Sequence, residues 1–130
     1  MNPAKKLPSD AEMAILNDLW TFGPSTVREV HERLSPIRTT GYTTILKQMQ
    51  QMLEKGLLSR NERFLSHLYE PTTPSEEMQA ILARDLLKRA FEGSVKNLIL
   101  GALSAQSTTK EELAEMRQLI DRLLRKGKKK

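Results

Sequence analysis

The sequence contains no cysteine among its 130 residues. Disulfide bonds, zinc sites built from thiolates and thiol catalysis are therefore excluded. The chain also lacks an apolar run of about 18 residues, the length that a membrane-spanning helix needs, and residues 1–6 lack the apolar stretch of a signal peptide. We therefore expect a cytoplasmic protein that folds as one compact domain or as two very small ones.

Residues arranged for catalysis or metal binding are also absent from the sequence. The two histidines, His31 and His67, lie in no metal-binding motif, and no nucleophile motif occurs. The chain has neither a glycine loop for phosphates nor a dinucleotide fingerprint. Two pairs of adjacent acids, Glu76-Glu77 and Glu111-Glu112, fall in the first turns of predicted helices, where they complement the helix dipole. We expect no enzyme activity, no cofactor, no metal and no small-molecule substrate.

The positive charge is concentrated at one end of the chain. The net charge is +5, and residues 121–130 alone contain six basic residues and one acid. The remaining 120 residues are therefore formally neutral. A basic tail of this kind either keeps the chain soluble or contacts phosphates, and the composition leaves both roles open.

Helical patterns begin close to the N-terminus. Ser9 and Thr26 are each followed three residues later by glutamate, which is the capping box that starts a helix. Apolar residues at helical spacing follow each box. The first of these helices is predicted to end at Gly23-Pro24 and the second before Pro36.

A third helix and a hairpin follow. The third helix is predicted from residue 40 or 41 to residue 55, with Gly56 as its left-handed cap. Residues 57–60 and 67–70 contain strand-forming side chains, and Pro71 closes the second segment. A two-stranded hairpin is the simplest interpretation of this pattern.

Three further helices are predicted in the C-terminal part of the chain. One begins with Thr73 as its N-cap and ends at Gly93. Residues 95–103 form an apolar segment, and the last helix starts with a capping box made by Thr108 and Glu111.

The third predicted helix has two chemically different faces. Its apolar side chains fall within an arc of about 120°, the width of a core-facing stripe. The opposite arc contains one acid, Glu54, among threonine, glutamine and lysine side chains. These groups can read base edges and contact phosphates in a major groove.

The order of these elements is that of a winged helix-turn-helix. Two short helices joined by a Gly-Pro-Ser turn precede the third helix, and the predicted hairpin follows it. From Arg38 to Arg63 the sequence contains five basic residues and two acids, so this region is locally basic. The predicted fold class is mostly α with a small β-hairpin wing. The third helix is expected to enter the major groove of DNA.

These segments together resemble the penicillinase-repressor (BlaI/MecI-type) family of bacterial winged-helix regulators. The order and spacing of the segments agree with those of the family over residues 7–125. The matching segments are LPSDAEMAILNDLWTFG from residue 7, STVREVHERL from residue 25, GYTTILKQMQQMLEKGLL from residue 41 and HLYEP from residue 67, followed by EEMQAILARDLLKRAFEGSVKNLIL.

The resemblance implies a homodimer on a palindromic operator, in which each subunit has an N-terminal DNA-binding domain and C-terminal helices that clasp the partner. It implies a wing at Arg60 to His67. It also implies that five positions of the third helix face DNA, namely Thr43, Thr44, Lys47, Gln48 and Gln51.

The chain departs from this family in two ways. Members that are regulated by proteolysis are cut at an Asn-Phe bond, and the matching place here is Gly101-Ala102. This departure argues against induction by cleavage at that bond, and a membrane sensor-protease as a partner is implied by the resemblance alone. Copper-responsive relatives carry a cysteine site, which this chain lacks.

We predict a winged-helix DNA-binding domain at residues 7–73 and a helical dimerisation domain at residues 74–126. Basic flexible tails are predicted at residues 1–6 and 127–130. The side chains predicted to contact DNA are Arg38, Thr40, Tyr42, Thr43, Thr44, Lys47, Gln48, Gln51, Lys55, Arg60, Arg63 and His67.

The C-terminal helices are too few to enclose much core, so pairing of subunits would bury their remaining apolar faces. The side chains predicted to form this interface are Met78, Ile81, Leu82, Leu86, Leu98, Leu113, Met116, Ile120 and Leu123.

The function expected is sequence-specific repression of transcription by a homodimer on a pseudo-palindromic operator. A second hypothesis is a winged-helix module that binds another protein with weak or no DNA binding, and the near-neutral body of the chain keeps it open. A third is a non-specific DNA binder that depends on the tail at Lys128 to Lys130.

Overall fold

The computed structural model describes residues 7–62 and 67–127. Within these residues the chain forms six helices and one two-stranded antiparallel sheet, so the predicted combination of helices with a β-hairpin wing is confirmed. Residue 127 ends the last helix and is not part of a tail. The elements are α1 (Asp10–Phe22), α2 (Val27–Leu34), α3 (Tyr42–Lys55), β1 (Leu58–Asn61), β2 (Leu68–Pro71), α4 (Ser75–Ala90), α5 (Val95–Ala105) and α6 (Lys110–Gly127).

The two predicted capping boxes at the N-terminus are confirmed. At α1, the Ser9 hydroxyl accepts from the Glu12 amide at 3.2 Å, and the Glu12 carboxylate accepts from the Ser9 amide at 3.0 Å. Thr26 starts α2 in the same way. By contrast, α3 begins after Gly41 without any hydrogen bond from a capping side chain. The left-handed cap predicted at Gly56 is confirmed by its φ of 87°.

In the C-terminal part of the chain, two helix N-caps differ from those predicted. Pro74 directly precedes α4 and occupies the cap position expected for Thr73. At α6 the hydroxyl of Thr109, and not that of Thr108, accepts from the Glu112 amide at 3.0 Å. Both predictions placed the cap one residue too early.

The hairpin lies one residue later in each strand than predicted. Leu58 of β1 pairs with Pro71 of β2, and the strands run antiparallel. The backbone of Tyr69 in β2 also exchanges two hydrogen bonds with Ser25, at 2.8 and 3.1 Å. The wing is therefore joined to the turn between α1 and α2.

The hydrophobic core lies among α1, α2, α3 and the hairpin. Half-buried Trp20 packs against it, and its indole nitrogen donates to the Thr73 carbonyl at 3.0 Å. The buried apolar side chains of this cluster are Ile15, Leu16, Leu19, Val27, Val30, Leu34, Ile45, Met49, Met52, Leu58 and Tyr69. Met78 of α4, which was predicted to lie in the subunit interface, is also buried within the single chain.

A polar network ties α1 to α2 at the edge of this core. The Asp18 side chain is 3% exposed and accepts three hydrogen bonds from the Arg33 guanidinium, at 2.8 to 3.1 Å. Arg33 also donates to the Ser25 hydroxyl at 2.7 Å and lies over the Phe22 ring. Its hydrogen bonds to Asp18 raise the pKa of Arg33.

The chain divides into two compact units, the first ending at Ala83 and the second beginning at Arg84, so the division lies inside α4. No residue among positions 84–127 of the second unit is buried. Soluble proteins normally cover apolar surface of this extent. The exposed apolar side chains of this unit are Leu86, Val95, Ile99, Leu100, Leu103, Leu113, Leu119, Ile120, Leu123 and Leu124.

Candidate nucleic-acid interface

The two predicted faces of α3 are present in the structure. Ile45, Met49 and Met52 are buried and fix the helix to the core. The opposite face carries the five side chains predicted to approach bases, of which Gln48 is half-buried and the others are exposed. Within the described ranges, 7–62 and 67–127, none of the five is held by a hydrogen bond or an ion pair. The five are Thr43, Thr44, Lys47, Gln48 and Gln51.

The separation of these faces suits recognition of DNA. An exposed helix of this size fits a major groove, where amides, hydroxyls and ammonium groups find base edges and phosphates. The buried face limits movement of the helix relative to the rest of its domain, so the polar side chains are presented from a rigid element.

The start of α3 is surrounded by polar and aromatic groups. Arg38 is exposed in the turn that precedes the helix, and Thr40 is half-buried. Tyr42 is 40% exposed and lies beside His31 and Arg28 of α2. Arg28 is exposed and was not among the predicted DNA contacts. The sequence could have indicated Arg28, because it lies three residues before His31 and the two side chains therefore share one face of α2.

Lys55 is engaged within the protein. Its ammonium donates to the Glu12 carboxylate at 2.7 Å, and the Glu12 side chain is 10% exposed. Lys55 also lies at the opposite end of α3 from Tyr42, about 20 Å along the helix axis. The structure therefore does not group Lys55 with the first-turn side chains, and a phosphate that reached its ammonium would share it with the Glu12 carboxylate.

Arg60 is also engaged, in the wing. Its guanidinium donates to the Glu62 carboxylate and, at 3.5 Å, to the hydroxyl of Tyr69. These bonds, with Tyr69 contributing most, raise the pKa of Arg60, while Arg60 lowers the pKa of Glu62. A phosphate that reached Arg60 would compete with the Glu62 carboxylate for its guanidinium. His67 is half-buried just before β2, and Arg63 lies outside the described residues.

The pair of Glu12 and Lys55 makes a prediction about pH. Burial raises the pKa of Glu12, but hydrogen bonds from Lys55 and Ser9 lower it by more, so the pKa lies below its ordinary 4.5. The ionised Glu12 carboxylate therefore contributes its full stabilisation of the fold above pH 4.5. This stabilisation is lost as the pH falls through the lowered pKa of Glu12. We expect Glu12→Gln, which keeps the capping oxygen, to make the free energy of unfolding fall less steeply with acidity than in the wild type.

Urea denaturation at a series of pH values would measure this difference in slope. Glu32→Gln is the matched control, because Glu32 is an exposed glutamate of α2. Equal slopes for the wild type and Glu12→Gln would show that the ion pair contributes nothing to acid sensitivity.

Residues 7–62 and 67–127 contain no group of three or more histidine or acidic side chains placed to hold a metal ion. Of the helices in those residues, none combines the length and the apolar character needed to cross a bilayer.

Comparison with known proteins supports one family. The sequence profile described as Penicillinase repressor matches residues 8–122. The chain is 25% identical to the penicillinase repressor of Bacillus licheniformis over 119 residues, which cover 90% of this chain and 93% of that protein. It is 34% identical over 92 residues to the transcriptional regulator BlaI of Mycobacterium tuberculosis, covering 70% of this chain and 67% of the regulator.

Among solved structures, the chain is similar to the solution structure of the DNA binding domain of the repressor BlaI. The TM-score is 0.49 and the sequence identity is 27%, and the match covers 56% of this chain and 92% of that domain.

Proposed function

Because this chain belongs to the penicillinase repressor family, whose members are transcriptional repressors and not enzymes, we propose that it represses transcription as a homodimer bound to an inverted-repeat operator. The observation that carries the proposal is the exposed threonine, glutamine and lysine face of α3 within a winged helix-turn-helix. As a regulator that acts on bacterial DNA, it would work in the cytoplasm.

The proposal assigns a role to each part of the chain. Residues 7–73 would bind DNA and residues 74–126 would form the dimer. A two-fold symmetric pair of recognition helices requires half-sites about 34 Å apart, or a multiple of that distance. Thr43, Thr44 and Lys47 would lie at or near bases, and Arg38 would contact phosphate.

The dimer is supported by the exposed apolar surface of the second unit. Leu98 and Met116 are half-buried and Leu113, Ile120 and Leu123 are exposed, although all five are apolar. A second copy of the chain would present the same surface, so a two-fold contact would cover both at once.

Control by a membrane sensor-protease does not enter the proposal. The bond that matches the cleavage site of proteolysed relatives, Gly101-Ala102, lies inside α5. A protease would need this helix to unfold locally before it could bind the bond in an extended form.

The proposal can be tested by selecting duplexes from a random DNA library at near-physiological salt and sequencing those retained. Enrichment of an inverted repeat would support a dimeric operator-binding protein. Binding without enrichment would contradict sequence specificity and point to phosphate contacts alone. Absence of binding would contradict DNA recognition and favour a module that binds another protein.

Gln48 provides a sharper test of the recognition face. Its amide can bond to a base edge, and we expect Gln48→Ala to reduce the discrimination at one operator position by about 1 to 3 kcal/mol. Repeating the selection with the variant would show relaxed base preference there. Gln79→Ala removes an amide of the same kind from an exposed position of α4 and should leave every preference unchanged. Unaltered preferences in Gln48→Ala would remove this residue from the base-reading set.

A further inference from the structure

His31 joins α2 to the start of the recognition helix. Its Nε2 lies 3.1 Å from the carbonyl oxygen of Thr40. Its ring meets the Tyr42 ring edge-on, with 5.9 Å between centroids and an interplanar angle of 87°. The guanidinium of Arg28 lies 5.7 Å from the centre of the same Tyr42 ring. Two side chains of α2 therefore contact the first residue of α3.

The first turn of α3 has no cap of its own. Helices α1 and α2 each begin with two reciprocal hydrogen bonds between side chain and backbone. Gly41, the N-cap of α3, has no side chain that can provide one. A glycine cap has no side chain to accept a hydrogen bond from the first amides of the helix, so these amides lack the restraint that a polar cap provides. Neighbouring elements are the other source of restraint for this turn.

The hydrogen bond of His31 is suited to this role. A carbonyl oxygen only accepts, so Nε2 carries the hydrogen and donates it to Thr40. The bond fixes the backbone two residues before α3 begins, and the edge-on ring contact fixes the side chain of the first residue. Together they hold the turn and the helix start from outside.

We propose that His31 is a positioning residue for DNA recognition, which orients Tyr42 and the first turn of α3 so that Thr43 and Thr44 meet their bases. The inference rests on the proposed function, because it concerns how the same recognition helix is aligned on DNA. His31 itself does not touch DNA in this proposal. Its loss therefore lowers affinity for the selected sequence more than affinity for unrelated DNA.

Three substitutions separate the two contacts of His31. His31→Ala removes both of them. His31→Gln keeps a donor near the position of Nε2 and removes the ring, whereas His31→Phe keeps a ring against Tyr42 and removes the donor. Glu32→Gln, at the next and exposed position of α2, is the matched control.

The variants are titrated, as full chains, with the inverted repeat found by selection and with a scrambled duplex of equal length. We expect His31→Ala to bind the repeat about tenfold more weakly, with little change for the scrambled duplex. His31→Gln should recover most of the loss, and His31→Phe should recover little. Thermal unfolding is measured in parallel, so that a loss of folded protein is recognised.

Hydrogen exchange of the free protein provides a readout that does not depend on DNA. The Ile45 amide donates to the Gly41 carbonyl at 3.2 Å and closes the first turn of α3. It should exchange faster in His31→Ala than in the wild type, and near the wild-type rate in His31→Gln.

Equal weakening on both duplexes, or wild-type affinity for the repeat in His31→Ala, would overturn the positioning role. If the wild type itself selects no sequence, the proposed function fails. Hydrogen exchange at the Ile45 amide then tests the role of His31 independently of DNA. Unchanged exchange in His31→Ala would show that His31 does not restrain the first turn of α3.

Discussion

Replacing Asp18 with alanine is expected to lower the free energy of unfolding by about 3 kcal/mol. Removal of one partner from a buried ion pair typically costs about 3 to 5 kcal/mol, because the other charge remains without compensation. Arg33 would keep its bond to Ser25 but lose the three to Asp18. Its side chain is 26% exposed, so water offsets part of the loss and the lower end of this range applies.

Urea denaturation followed by circular dichroism would measure the change. Glu62→Gln is the control, because it breaks an ion pair of the same unit in which the Glu62 side chain is 58% exposed. Exposed pairs of this kind contribute about 0 to 1 kcal/mol. Equal losses in the two variants would show that the Asp18 network does not stabilise the fold.

The network also bears on the wing. Ser25 accepts from Arg33 through its hydroxyl and pairs with Tyr69 through its backbone. Asp18 therefore supports the segment to which β2 is attached. We expect the loss of Asp18 to increase amide exchange at Tyr69 as well as in α1 and α2.

Replacing Leu123 with aspartate is expected to separate the proposed dimer and to weaken operator binding by about 100-fold. Leu123 is 57% exposed and lies with Ile120 and Leu124 on an apolar part of α6. A charge placed in an apolar interface must be desolvated without a partner, which opposes association. Two linked recognition helices bind a repeat far more tightly than one, because the second contact is intramolecular.

Sedimentation would report the oligomeric state, and titration with the selected repeat would report the affinity. Gln118→Asp adds the same charge to an exposed position on the opposite side of α6, and should leave both quantities unchanged. A Leu123→Asp protein that remained dimeric and bound the repeat normally would place the interface elsewhere.

Much of the N-terminal fold could be predicted because its signals are local. Capping boxes at Ser9 and Thr26 and the glycine at position 56 set helix ends within a few residues. The caps of α4 and α6 were misplaced for a local reason as well. Thr108 and Thr109 are adjacent, and each is followed three residues later by a glutamate, so the sequence contains no signal that prefers one of them.

The polar side of α3 could be predicted from its period, but the partners of its flanking basic residues could not. Glu12 lies 43 positions from Lys55, and only the packing of α1 on α3 brings them together. The pair of Arg60 and Glu62 had a usable local signal, because the two residues lie only two positions apart at the end of β1. Likewise, no pattern at Gly41 indicated that α2 would support the first turn of α3.

The division of α3 into an anchored side and a solvent side has a consequence for how such regulators diversify. Substitutions of exposed residues that contact nothing else usually change stability by less than about 0.5 kcal/mol. Thr43, Thr44, Lys47 and Gln51 are all exposed in this way. Under the proposed assignment of these residues to base contacts, duplicated genes for such a chain could acquire new target promoters one residue at a time without loss of the folded protein.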